Sequence, residues 1–149
     1  MLQENTNYTM DELLQMVREK AQEYNVSRIT SASDVYSLLN QYATMEREHF
    51  LLVTLDGSSK VIEQRVIHIG TLNQSLVHPR EIFRPAILDN SVGIIIAHNH
   101  PSGTLEASRA DIQITQRLKE VAKLVGIELL DHVILSSQGY YSFSDEGLL

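Results

Sequence analysis

The chain has 149 residues, 43% of them hydrophobic and 21% charged, which is enough for one ordinary domain with a buried core. It contains no cysteine, so disulfides and thiolate metal sites are excluded and His, Asp, Glu and water are the metal ligands left. The formal net charge is −7, with eight acids against four bases in residues 1–48 and eleven against eight thereafter, so no basic block supplies the footprint of a duplex-binding protein.

MLQENTN reads as a loose end. TMDELLQMVREKAQEYN predicts a helix, with Thr9 as N-cap and a one-sided stripe of Leu13, Leu14, Met16 and Val17. A second helix is predicted from Ser33 in SASDVYSLLNQYA, carrying Val35, Leu38 and Leu39. HFLLVTLD reads as a strand, GSS as a turn and KVIEQRVIHIG as the hairpin partner. HPREIFRPAILDN begins like a helix, with Pro79 near its first position and Glu81 in its first turn. Pro85 predicts a kink or a late start there, because it cannot donate to the preceding turn.

SVGIIIAH is almost wholly apolar, as a strand buried on both faces would be. SRADIQITQRLKEVAKLVG is the clearest helix, with Ile112, Leu118, Val121 and Val125 on a helical period and Gly126 at its end. IELLDHVILS, the turn SQG and YYSF predict a terminal hairpin. An uncovered YYSF strand could pair with a second copy, which leaves room for a homo-oligomer. The order of elements gives an α/β domain with a mixed sheet. Residues 1–32 are read as an N-terminal helical extension and 33–149 as the domain proper. No run reaches transmembrane length and the N-terminus lacks the basic-then-apolar order of a secretory leader, so a cytoplasmic protein with no membrane partner is expected.

The chemistry concentrates in AHNHPSGTLEASRAD, residues 97–111. Alternate residues of an extended segment point the same way, so His98 and His100 can present both imidazoles to one point. Pro101 keeps His100 extended. Asp111, three residues after Ser108, shares its face in the first turn of the next helix. Two imidazoles and a carboxylate, with a fourth position for water, make the ligand count of a catalytic zinc site. Ser108 and Asp111 equally fit a capping box that needs no catalysis. His49, His68 and His78 have no such company.

The string His98-x-His100, seven residues, Ser108, two residues, Asp111 resembles the JAMM signature of JAB/MPN-type metalloproteases. With LNQSLVHPREIF upstream and LLDHVIL downstream, the chain resembles the RadC branch of that superfamily from about Ser33 to its end. The resemblance implies a single JAB/MPN, cytidine-deaminase-like α/β domain, its mixed curved sheet flanked by helices. It also implies a zinc-dependent hydrolase of amide or isopeptide bonds acting on a peptide or protein. His98, His100 and Asp111 would hold Zn2+, which lowers the pKa of a water toward ~7. Ser108 would stabilise the oxyanion.

The family's general base is a glutamate at the start of an early strand. Glu48, immediately before HFLLVTLD, takes that role here, with Glu46 as first rival and Glu63 and Glu81 behind it. Asp131 and His132 are read either as hydrogen-bond support for a ligating histidine or as an ion pair at the sheet edge. The family's DNA-repair name keeps a non-catalytic partner- or DNA-binding module with a structural metal, and a metal-dependent nuclease, as alternatives. Many RadC-type proteins carry a helix-hairpin-helix unit before this domain, whereas residues 1–48 are acidic and contain no glycine. DNA as a partner is therefore unsupported by charge.

Overall fold

The computed structural model describes residues 7–26, 28–72 and 77–149. Most of the expected loose end, and residues 73–76 of LNQSLVHPREIF, lie outside the described residues. Helix α1 spans Met10–Val26. It is opened by Thr9, whose Oγ1 accepts from the Glu12 amide at 3.2 Å while Glu12 accepts from the Thr9 amide at 2.7 Å. Leu13, Leu14, Met16 and Val17 are all exposed, so the stripe that marks the helix is not buried against the described residues.

Helix α2 spans Ala32–Leu39 and is capped by Ser31 rather than starting at Ser33. The Ser31 hydroxyl accepts from the Asp34 amide, and Asp34 in turn accepts from the backbone and hydroxyl of Thr30. That reciprocal set exists only if the helix opens two residues earlier. A 3₁₀ turn, Asn40–Tyr42, continues it.

Strands β1 (His49–Leu55) and β2 (Val61–Ile69) form the expected hairpin. Asp56 holds the turn by accepting from the amides of Ser58 and Lys60 at 2.8 and 3.0 Å. Helix α3 (Pro79–Leu88) begins at its proline and runs through Pro85, so the late start does not occur and only the bond that Pro85 cannot donate is lost. Strand β3 (Gly93–Asn99) is buried at every position, as its apolar run requires. Helix α4 (Arg109–Val125) ends at Gly126, whose φ of 80° is a left-handed cap suited to glycine. Strands β4 (Glu128–Ser136) and β5 (Gly139–Ser142) close the chain as a hairpin.

The five strands lie in the order β2-β1-β3-β4-β5. The β3–β4 pair is parallel and the others antiparallel, so the sheet is mixed and open, with α2, α3 and α4 packed against it. On one face Phe50, Leu52, Ile94 and Ile96 pack with Ile82, Phe83 and Ala86 of α3 and Ile114, Leu118 and Ala122 of α4. On the other, Leu51, Val53, Ile95, Ala97, Val133 and Leu135 pack with Val35 and Leu39 of α2 and with Ile29. Asp89, at the end of α3, accepts from both terminal guanidinium nitrogens of Arg65 on β2 and from the Thr54 hydroxyl on β1, fastening helix to hairpin.

Leu52 is fully buried at the sheet centre and Leu124 is 89% exposed on the outer face of α4. Leu52→Ala is expected to cost about 2–5 kcal/mol in chemical denaturation, and Leu124→Ala to stay within about 0.5 kcal/mol of wild type.

Candidate metal centre

The site forms where β3 ends against the start of α4. His98 continues the Ile94, Ile96 side of β3 and is 1% exposed. His100 stays extended because its amide still donates to Leu135 of β4 at 2.9 Å. The chain then turns at Pro101–Ser102, with Gly103 at φ 84° donating back to His100. Ser108 caps α4: its Oγ accepts from the Asp111 amide at 3.1 Å, and its own amide donates to Asp111 Oδ2 at 2.8 Å. The capping box is thus real, and it aims the Asp111 carboxylate at the histidines. Capping and convergence are one arrangement.

His98 Nε2 lies 2.8 Å from His100 Nε2 and 3.1 Å from Asp111 Oδ1, and His100 Nε2 lies 3.3 Å from Asp111 Oδ2. Among the described residues this is the one group of three His, Asp or Glu donors that converges closely enough for a metal ion. A tetrahedral ion with ligands at roughly 2.0–2.1 Å has donors about 3.3 Å apart, so the spacing fits. The other nitrogens are occupied: His100 Nδ1 donates to the Thr104 carbonyl at 2.8 Å, and His98 Nδ1 pairs with His132 Nε2 at 2.8 Å.

Burial alone would raise the Asp111 pKa, but the adjoining imidazoles of His100 and His98 and the bond from the Ser108 amide hold it far below the carboxylate range. For His100, burial opposes the charge, yet Asp111 and the Thr104 carbonyl outweigh it and raise the pKa. His132 is driven well below the ordinary imidazole value, first by complete burial and then by the neighbouring imidazole of His98.

Glu48, Thr71, Leu72, Thr104, His100, Ser108 and Asp111 line one cleft of about 320 Å³. Glu48 is held there by the Leu72 amide, which donates to its Oε2 at 2.9 Å. Glu46 lines a neighbouring depression instead, Glu63 sits opposite Thr54 toward the far end of β1, and Glu81 lines a separate cleft beside α3.

Asn99, between the two histidines, points to the other side of β3. Its Oδ1 accepts from the His49 amide at 2.7 Å and its Nδ2 donates to the carbonyls of Arg47 and Met45 at 2.9 and 3.3 Å. It therefore fixes the segment that carries Glu48.

Among the described residues Asp131 makes no ion pair. It accepts from the Ser142 hydroxyl and the amides of Ser144 and His132, and its burial raises its pKa despite them. His132, its neighbour, is the one that supports a histidine of the site. LLDHVIL carried that signal as a polar pair inside an apolar strand, whereas Asn99 and Thr115 carried none.

The sequence model of the RadC-like JAB domain matches residues 29–148. The chain belongs to the RadC-like JAB domain family. It is 48% identical over 122 residues to a UPF0758 protein of Rubrobacter xylanophilus, covering 81% of this chain and 53% of the relative. A UPF0758 protein of Clostridium perfringens is 47% identical over 133 residues, covering 89% and 59%. One from Methanococcoides burtonii is 44% identical over 123 residues, covering 82% and 54%. The chain therefore spans just over half the length of these relatives. A His-His-Asp group that could bind a metal, in a RadC-like JAB domain, is consistent with the metal-dependent fold of that family. No helix of the described residues is long and apolar enough to cross a membrane.

In the metal-free protein, Asp111 contributes stability that is present above its unfolded pKa of about 3.9 and is lost as pH falls below it. Protonated His100 contributes stability present below about 6.5 and lost as pH rises through its raised pKa. The stability advantage of wild type over Asp111→Asn is thus expected to be greatest between about pH 4 and 6.5 and to shrink on both sides. Urea midpoints of the two proteins across that range would show it, and a pH-independent difference would refute it.

Proposed function

We propose that this RadC-like JAB domain is a zinc-dependent hydrolase of amide or isopeptide bonds, with His98, His100 and Asp111 holding the metal and a peptide or protein as substrate. The observation that carries this reading is the convergence of the three donor groups at the floor of a cleft that Glu48 and Ser108 also line. Zinc bound by three protein ligands and open at a fourth position lowers the pKa of a water to about 7 and polarises a carbonyl.

The chain's own residues supply the rest. Glu48 takes a proton from the attacking water and returns it to the leaving amine as the carbon–nitrogen bond breaks. Its bond from the Leu72 amide orients the carboxylate for this transfer. Ser108 Oγ accepts from the Asp111 amide, which leaves its hydroxyl proton free to donate to the developing oxyanion. His100 is fixed by the Thr104 carbonyl, and Asp111 stays ionised because its bonds suppress its pKa. A peptide substrate also suits the net charge of −7, which would repel nucleic acid. The cysteine-free composition suits the cytoplasm.

Metal analysis of the purified protein is expected to find about one zinc per chain, lost in Asp111→Ala. Zinc retained in Asp111→Ala would remove Asp111 from the ligand set. Glu48→Gln is expected to keep zinc yet lower hydrolysis on a panel of peptides and isopeptides by about 10²–10⁴-fold. Cleavage of single-stranded DNA in place of these amides would favour the nuclease. Salt-sensitive DNA binding without cleavage would favour the binding module.

A further inference from the structure

The inner nitrogen of His98 leads into a chain of polar groups that reaches back to the site. His98 Nδ1 meets His132 Nε2 at 2.8 Å, and His132 Nδ1 meets the hydroxyl of Thr115 on α4 at 2.5 Å. The Thr115 hydroxyl donates to the backbone carbonyl of Asp111 at 2.7 Å. All four residues are buried, His132 completely. Phe143 stacks on the His132 ring at 4.4 Å between centroids, and Phe50 covers both imidazoles at about 6 Å. Water is shut out, so each polar atom must be satisfied by the next.

The direction of the Thr115 bond sets the protons of the rest. The Thr115 hydroxyl donates to the Asp111 carbonyl, which only accepts. The Thr115 oxygen is left to accept, and His132 Nδ1 must carry the hydrogen it receives. No carboxylate meets either nitrogen of His132, so its Nε2 is the bare acceptor. His98 Nδ1 therefore bears the proton, and the bare Nε2 of His98 faces His100 and Asp111.

We propose that Thr115 and His132 are positioning residues that hold His98 in the tautomer whose Nε2 lone pair faces the site, with the Asp111 main chain dictating the choice. This rests on reading His98, His100 and Asp111 as metal ligands. The ion's helix-borne carboxylate ligand and its strand-borne imidazole are thereby set by one network: the Asp111 side chain converges on the site while its carbonyl, through two intermediaries, readies His98. A metal-ligating histidine commonly donates its second N–H to a carbonyl or carboxylate. Here a second imidazole takes that place, and it can accept only because Thr115 takes its other proton.

The test uses Thr115→Val, which keeps the shape and removes the hydroxyl. His132 Nδ1 then has no acceptor, and its proton is expected to move to Nε2 and donate to His98 Nδ1. The proton of His98 is forced onto Nε2, the ligating atom. Long-range proton–nitrogen NMR of the metal-free protein should show His98 protonated at Nδ1 in wild type and at Nε2 in Thr115→Val. Thr115→Ser, which retains the hydroxyl, should restore the wild-type pattern.

Zinc affinity, measured by chelator competition, should fall about 10–100-fold in Thr115→Val and by far less in Thr115→Ser. Thr115→Ala serves the same purpose should valine disturb folding. Unchanged tautomers and unchanged zinc affinity in the hydroxyl-free variants would overturn the proposal. Absence of zinc from wild type would sink the metal reading instead, and its retention in Asp111→Ala would remove Asp111 from the ligand set. The tautomer comparison is made without metal and would stand apart from that result.

Discussion

A histidine at the buried end of a central strand has two ring nitrogens and no water to satisfy either. That constraint organises the site around His98. Its neighbours on the sheet are apolar, and Phe50 lies against its ring. One nitrogen turns inward to His132 and the other turns outward to His100 and Asp111. Each then imposes a requirement on its partner, and the requirements propagate through β4 and α4 until they end on a backbone carbonyl. An apolar residue at position 98 would relieve all of this. On the metal-binding reading proposed above, the arrangement would present His98 Nε2 to a cation with its lone pair already desolvated.

The start of α4 shows how one pattern serves two ends. Any helix opening on Ser-x-x-Asp gains from a carboxylate near its N-terminus and a hydroxyl on its third amide. Here the same carboxylate has one oxygen on the Ser108 amide and His100, and the other on His98. One side chain with two oxygens thus completes the cap and converges on both histidines.

Much of this was legible because it is local. The H-x-H spacing follows from strand alternation, the cap from three consecutive helical positions, and the buried run 93–97 from its lack of polar residues. The errors and omissions share the opposite property. The helix expected from Ser33 opens two residues earlier at a Ser31 cap, where Asp34 also accepts from the Thr30 amide. The α1 stripe reported an amphipathic helix but not whether anything covers it. His132 lies 34 residues beyond His98, and only the parallel β3–β4 register sets it beside that ring. Thr115 looked like one more residue on a well-formed helix. Asn99 was hidden by the histidines around it.

Asn99 has a consequence of its own. Its neighbours on either side face the candidate centre, whereas it clasps the backbone that delivers Glu48. Three consecutive residues of one strand thus bind both halves of the cleft, so a slip of one residue would turn the imidazoles away and drive the amide inward. A shift of β3 that freed one side of the cleft would free the other, and would break the pairing of β3 with β1 and β4 as well. Movement that leaves this pairing intact falls instead to the stretch between His100 and Ser108, which belongs to no strand or helix.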